Sequence, residues 1–513
     1  MNGAESLVRS LLASNVDVCF TNPGTSEMHF CAALDQVDGM RCVLCLFEGV
    51  VTGAADGYGR MLDRPAATLL HLGPGLGNGL ANLHNARKAN TPIVNIVGEH
   101  ATYHVQYDAP LTADIEGIAR PVSDWVRTSR SADDIGNDAA AAVNASMKPP
   151  GGISTLILPA DTAWTQTASV ADPLGGEVAP CVSDEGIEAC AKILKLNEPT
   201  MLVVGGKGLR ADALAYVGAI ARQCEVEVRA EFASARTERG AGRVTIERLP
   251  YVVGQALEVT KHIRHVILIG AKTPVAFFAY PDLPSLLIPD GCKVHDLVNV
   301  NEDIGDALLR LASRVGAEPA KNDGQNLDRP TLQSGELNAD SIGAAIGHLL
   351  PENAIVSDES ITAGRALHPY TKGCPPHDWL YGTGGSIGRA LPESTGAAIA
   401  CPERRVLCLS GDGSAMYTVQ ALWTQARENL NITTVIYDNR SYAILHGELR
   451  NVGAKAGQKA RDMFDLDRPV LDWLSIARGL GVEAVRATTA EEFNQALRRS
   501  FATPGPMLID AVI

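Results

Sequence analysis

No stretch of this 513-residue chain approaches the ~18–20 uncharged apolar residues that a membrane helix requires. No secretory leader is expected either. Glu5, Arg9 and Asp17 break any apolar run near the start, and that segment has the pattern of a folded helix and strand. We therefore expect a cytoplasmic protein with no membrane partner. Lys and Arg number 44 against 59 Asp and Glu, for a net charge of −15, and nowhere cluster at nucleic-acid-binding density. Nonspecific binding to nucleic acid depends on neutralising phosphates, so no nucleic-acid partner is expected. The eleven cysteines form no framework. Cys42-Val43-Leu44-Cys45 is the only C-x-x-C, and it lies in an apolar, strand-like run. Reduced core thiols are expected there rather than a redox or zinc pair.

What is present is ordinary globular composition, 46% hydrophobic and 20% charged, on a chain too long for one core. Short β-rich runs alternate with helical patterns in three blocks, the arrangement of parallel α/β domains. The predicted domains are residues 1–165, 185–316 and 339–513, joined by polar, Gly/Pro-containing linkers. Strands are predicted at 16–20, 42–47, 67–72, 92–97 and 154–158 in the first. The second holds 200–205, 225–229 and 265–270; the third holds 354–357, 405–409, 433–437 and 507–512. The expected fold class is α/β, with three doubly wound parallel-sheet domains.

The strongest chemical pattern is in the third block. A buried strand runs into Gly411-Asp412-Gly413-Ser414, and a second strand runs into Asp438-Asn439-Arg440-Ser441-Tyr442, with Asn439 27 residues after Asp412. In a parallel sheet both strand ends open on one edge, where ligands sit. Mg²⁺ takes hard oxygen ligands, few of them carboxylates, and completes its shell with phosphate, amide and water oxygens. Asp412 supplies charge and Asn439 an amide oxygen, while Gly411 and Gly413 let the backbone approach phosphates closely. Gly-Asp-Gly by itself is also a plain turn; the second element at this distance makes it a diphosphate–metal site.

Other segments are ambiguous by pattern. Glu48 stands where a strand meets a helix of small residues, a position the helix dipole alone would favour. Residues 382–388, Gly-Thr-Gly-Gly-Ser-Ile-Gly, could be a surface loop. Asn22-Pro23-Gly24-Thr25-Ser26-Glu27 could be a turn and N-cap. His71 is a lone histidine at a strand end.

In these residues the chain resembles the thiamine-diphosphate (ThDP)-dependent decarboxylase and acetolactate-synthase superfamily. That superfamily carries Gly-Asp-Gly and, some two dozen residues later, Asn-Asn; here Asp438-Asn439 retains only the second Asn. The run 411–426 looks especially like benzoylformate decarboxylase. The resemblance implies that Asp412, Asn439 and the main-chain oxygen of Ser441 bind the metal. It places Glu48 on N1′ of the aminopyrimidine, and Ile387 between the cofactor's rings with the Gly385 carbonyl on the 4′-amino group. Thr362, Gly411, Gly413, Ser414 and Tyr442 fall in its cofactor-binding segments.

For the substrate, the resemblance implies Thr25 against a carboxylate and His71 in proton transfer. Leu111 stands where synthases place a catalytic Gln, and Ala279 where benzoylformate decarboxylase has a second His. Ile444 and Leu445, with Phe277, Phe278 and Tyr280, suggest an apolar pocket. The implied activity is non-oxidative decarboxylation of a small 2-oxo acid, with carboligation as a side reaction. The alternatives are an acetolactate-synthase-like ligase or a 2-hydroxyacyl-CoA lyase. A catalytically dead nucleotide-binding regulator, suggested by the glycines of 73–79, is opposed by intact Glu48, Asp412 and Asn439. Thiamine diphosphate and Mg²⁺ are the expected cofactors; FAD is not expected. A homodimer or homotetramer is expected, with active sites at subunit interfaces.

Overall fold

The structure, a computed structural model, describes residues 1–455 and 457–513. The first sheet comprises β1 (Val18–Thr21), β2 (Arg41–Leu44), β3 (Ala66–Leu70), β4 (Ile93–Glu99), β5 (Trp125–Thr128) and β6 (Ile153–Pro159). Its order is β2-β1-β3-β4-β6-β5 and every pairing is parallel. The second contains β7 (Thr200–Val204), β8 (Glu227–Ala230), β10 (Glu247–Arg248), β11 (His265–Ile269) and β12 (Lys293–Val298), again all parallel. The third contains β13 (Ile355–Glu359), β14 (His377–Leu380), β15 (Val406–Gly411), β16 (Ile432–Asp438), β17 (Glu483–Ala487) and β18 (Met507–Val512). Central strands such as β3, β7 and β16 are buried along their whole length, which is why they are near-continuous apolar runs. The α/β class with three parallel sheets is as the sequence predicted.

β5, β12, β14 and β17 stand where no strand was predicted, and two further details differ from expectation. β9 (Arg236–Arg239) leaves the middle sheet and pairs antiparallel with β14, closing an edge of the third sheet. Arg236 Nε lies 2.5 Å from Asp378 Oδ1 and fastens it there. Secondly, the predicted strand 42–47 stops at Leu44, because the helix Glu48–Leu62 needs the intervening residues for its entry.

The first and third units share one apolar core, which includes Val43, Val50, Ile355, Ala390 and Cys408. Its seam is the contact of the helix Glu48–Leu62 with the helix Ala390–Ala400. The approach demands glycine: a Cβ on Gly57 would stand 1.9 Å from the Glu393 carbonyl oxygen, and one on Gly396 1.8 Å from that of Ala54. Across the seam, buried Arg60 lies 2.7 Å from Asp56 and 2.9 Å from Glu393. Arg389 also pairs with Glu393. No helix among the described residues is long and apolar enough to cross a membrane.

Candidate active site

Functional side chains gather at the carboxyl ends of parallel strands, in two groups. In the first, the turn after β1 brings Glu27 to His71, which follows β3. Glu27 is 2% exposed. Its Oε2 accepts from Gly24 N–H at 2.8 Å and lies 2.9 Å from His71 Nδ1. Ser26 Oγ donates to Glu27 Oε1 at 2.5 Å and stands 3.2 Å from the same imidazole nitrogen. A Cβ on Gly24 would meet the His71 ring at 2.2 Å, so that approach requires glycine. Thr25 is exposed, and among the described residues its side chain has no hydrogen bond; Ser26 is the hydroxyl that reaches His71.

Glu48 opens its helix, buried, and accepts from Asn78 Nδ2 at 3.0 Å. Glu48 Oε1 and His71 Cβ flank Gly75, lying 3.3 and 3.4 Å from where its Cβ would be. The two sequence-predicted catalytic residues thus share one small space. Leu111 is half-buried against the core shared by the first and third units. His71 ends no strand: β3 stops at Leu70, and His71 caps the helix Leu72–Ala89 with Leu72 in the left-handed region at φ 47°.

The second group follows β13, β14, β15 and β16. Asp412 is 1% exposed and accepts from Gly413 N–H at 2.8 Å through Oδ1, while its Oδ2 has no partner among the described residues. Burial, then the neighbouring Asp438 carboxylate, push Asp412 up to about 6; the Gly413 and Arg440 amides oppose the rise. Asn439 Oδ1 accepts from Ser441 N–H at 3.0 Å, and the Tyr442 ring lies against Gly413 where a Cβ would stand 2.3 Å away. Ser414 is buried, Thr362 half-buried. Ile361 and Arg440 both have left-handed backbones, at φ 51° and 55°. With Leu72, these strained residues stand at three of the loops where sequence placed chemistry.

Gly385 (φ 78°) and the half-buried Ile387 lie in the segment after β14. Asn85 Nδ2 donates to the Ser386 carbonyl at 2.9 Å, and the His84 ring nitrogen lies 3.0 Å from the Gly384 carbonyl. The Phe277 ring stands against Gly385, within a group of rings that includes Phe232, Tyr251 and Phe278. Ile444 and Leu445 sit on the helix Ala443–Asn451, which has no buried residue. Two phenols hold that helix: Tyr251 and Tyr280 donate to Glu448 at 3.2 and 2.9 Å.

The two groups meet the helix Leu72–Ala89 at different places. Glu48 neighbours Gly75 and Asn78, whereas the Gly385 segment is tied to His84 and Asn85 of the same helix. Six to ten residues of helix, about 9–15 Å, separate them.

Residues 1–118 match the N-terminal TPP binding domain of thiamine pyrophosphate enzymes, and residues 362–511 their C-terminal TPP binding domain. A Mycobacterium tuberculosis protein, provisionally named acetolactate synthase large subunit IlvX, is 51% identical over 100% of this chain and 99% of its own. This chain belongs to the thiamine pyrophosphate enzyme family. Benzoylformate decarboxylase of Pseudomonas aeruginosa is 30% identical over 96% of this chain and 95% of its own. Among solved structures, the 4-hydroxybenzoylformate decarboxylase of Rhodococcus jostii superposes with a TM-score of 0.85 at 23% identity, covering 99% of this chain and 98% of its own.

The residues present fit the family's cofactor with a divalent metal. The buried Oδ2 of Asp412, without a partner among the described residues, is an acceptor that a cation would satisfy. Among the described residues no three His, Cys, Asp or Glu side chains form a metal cage. An ion held here would take its remaining ligands from amide, carbonyl, phosphate and water oxygens, as Mg²⁺ does. Sequence reasoning missed Glu27 and Asn78. Glu27 stood in the singled-out turn, but nothing local linked it to His71.

Proposed function

We propose that this chain is a Mg²⁺-dependent, non-oxidative decarboxylase of a small 2-oxo acid, with carboligation as a side reaction. The pairing of His71 with Glu27 beside Glu48 carries this reading. Asp412, Asn439 and the Ser441 carbonyl would hold the metal, and Thr362, Gly411, Gly413, Ser414 and Tyr442 the diphosphate. Glu48 would bind the aminopyrimidine, with Gly385 and Ile387 setting the cofactor's bend. When bound, ThDP supplies a nucleophilic carbon and an electron sink. Glu27, as a carboxylate, accepts from Nδ1–H and leaves His71 Nε2 free to move a proton at the reacting carbon. Leu111, Ile444 and Leu445 would keep the substrate side apolar and exclude water, and Thr25 would contact the substrate carboxylate.

We place the complete site between two copies of the chain, in a homodimer or homotetramer. The separate places at which Glu48 and the Gly385 segment meet the Leu72–Ala89 helix support this. A second reading, acetolactate-synthase-like ligation, is favoured by the name of the M. tuberculosis relative.

The test is CO₂ release from aromatic and aliphatic 2-oxo acids, with and without ThDP and Mg²⁺. Cofactor-dependent release with an aldehyde product supports decarboxylation. Acetolactate from pyruvate supports the second reading, and no CO₂ from any acid defeats the proposal.

A further inference from the structure

β15 and β16 run parallel with Gly411 opposite Tyr437, so the residues that follow, Asp412 and Asp438, leave the sheet edge side by side. They are 1% and 2% exposed. Each keeps an Oδ2 atom that is buried and has no hydrogen-bond partner among the described residues. Arg440, its backbone left-handed, turns its amide toward both carboxylates. Among the described residues the guanidinium contacts with the pair are long. Arg440 Nε stays 4.0 Å from Asp438 Oδ2 on a half-exposed side chain, and Arg486 is committed to Asp510 at 2.8 Å. Two adjacent carboxylates in a dry pocket repel unless a proton shared between them or a cation sits with them. A small divalent cation, which prefers hard oxygens, is the partner that matches both orphaned atoms.

We propose that Asp438 turns this into a two-carboxylate metal site, which takes its divalent cation before the cofactor's diphosphate arrives. The proposal rests on the functional reading above, in which Asp412 and Asn439 anchor a diphosphate through a cation. It goes beyond it in assigning Asp438, where the resembled superfamily has a neutral Asn. With one carboxylate, the diphosphate must bring most of the negative charge, and metal and cofactor bind together. With two, the protein supplies enough charge to hold the ion alone.

The experiment titrates Mn²⁺ into the metal-free, full-length protein without ThDP, reading free Mn²⁺ by electron paramagnetic resonance. One tight Mn²⁺ per chain, displaced by Mg²⁺, is expected. Asp438→Asn, close in shape, should weaken that binding by about tenfold or more. With ThDP present the difference between the two proteins should narrow, because phosphate oxygens then contribute. Absence of tight Mn²⁺ binding by the wild type, or equal affinity in the variant, overturns the proposal. If the variant does not fold, the wild-type titration alone decides. Failure of ThDP with Mg²⁺ to bind the wild type would instead sink the functional reading, and the ThDP-free titration is unaffected by that result.

Discussion

Glu27 Oε2 and His71 Nδ1 stand 2.9 Å apart, on a carboxylate that the chain buries completely and that also accepts from Gly24 and Ser26. Such an acceptor fixes both the ring's orientation and the nitrogen that carries the proton. Glu27→Gln keeps the volume but can present an N–H to Nδ1. We expect CO₂ release to fall roughly 10²-fold or more. The pH profile of kcat/KM should shift while ThDP binding is unchanged. An unaltered profile would show that Glu27 only supports the turn.

Glu48→Gln should separate binding from turnover. The amide still fills the pocket beside Gly75 and Asn78, so calorimetry should detect ThDP binding with Mg²⁺. Turnover should drop by about 10² or more, since an amide cannot exchange the pyrimidine's proton. Full activity in this variant would remove Glu48 from the chemistry.

Arg60 is the one cation 2.7 Å from Asp56 and 2.9 Å from Glu393, inside the seam between the first and third units. Arg60→Met leaves two buried carboxylates short of a partner. Chemical denaturation should show a loss of about 3–5 kcal/mol. A loss within experimental error would mean that Arg389 compensates Glu393 unaided.

Glu231 follows β8 and lies against Gly205. Burial pushes its carboxyl from 4.5 to about 7, against the Gly206 amide and Lys272. A folded-state value above the unfolded one means stability is full at low pH. It is lost as pH rises from 4.5 toward about 7. Glu231→Gln should therefore match the wild type near the lower limit and be more stable above the upper one. Melting temperatures across that window check the sign; a wild type that gains on the variant with rising pH would reverse it.

Much of this was legible because it is local. A buried strand ending in Gly-Asp-Gly, or a glutamate where a strand gives way to small helical residues, is written in consecutive positions. Asp412 and Asn439 therefore stand where they were expected, directly after β15 and β16, and Glu48 opens the helix that follows β2. Strand limits were legible only within a few residues. Cys45 to Phe47 are as apolar as the strand before them, and only the helix entry removes them from it.

The amino-acid sequence by itself determined the alternation of strand and helix, the α/β class and the spacing of the cofactor motif, since each follows from side-chain period and turn chemistry along the chain. Tertiary structure alone decided which distant residues touch. Glu27 meets His71 because β1 and β3 are neighbours, Asp438 meets Asp412 because β15 and β16 run in register, and β9 crosses to the third sheet because Asp378 waits there. Neighbours of this kind arise from strand order and register, which no local pattern of residues encodes.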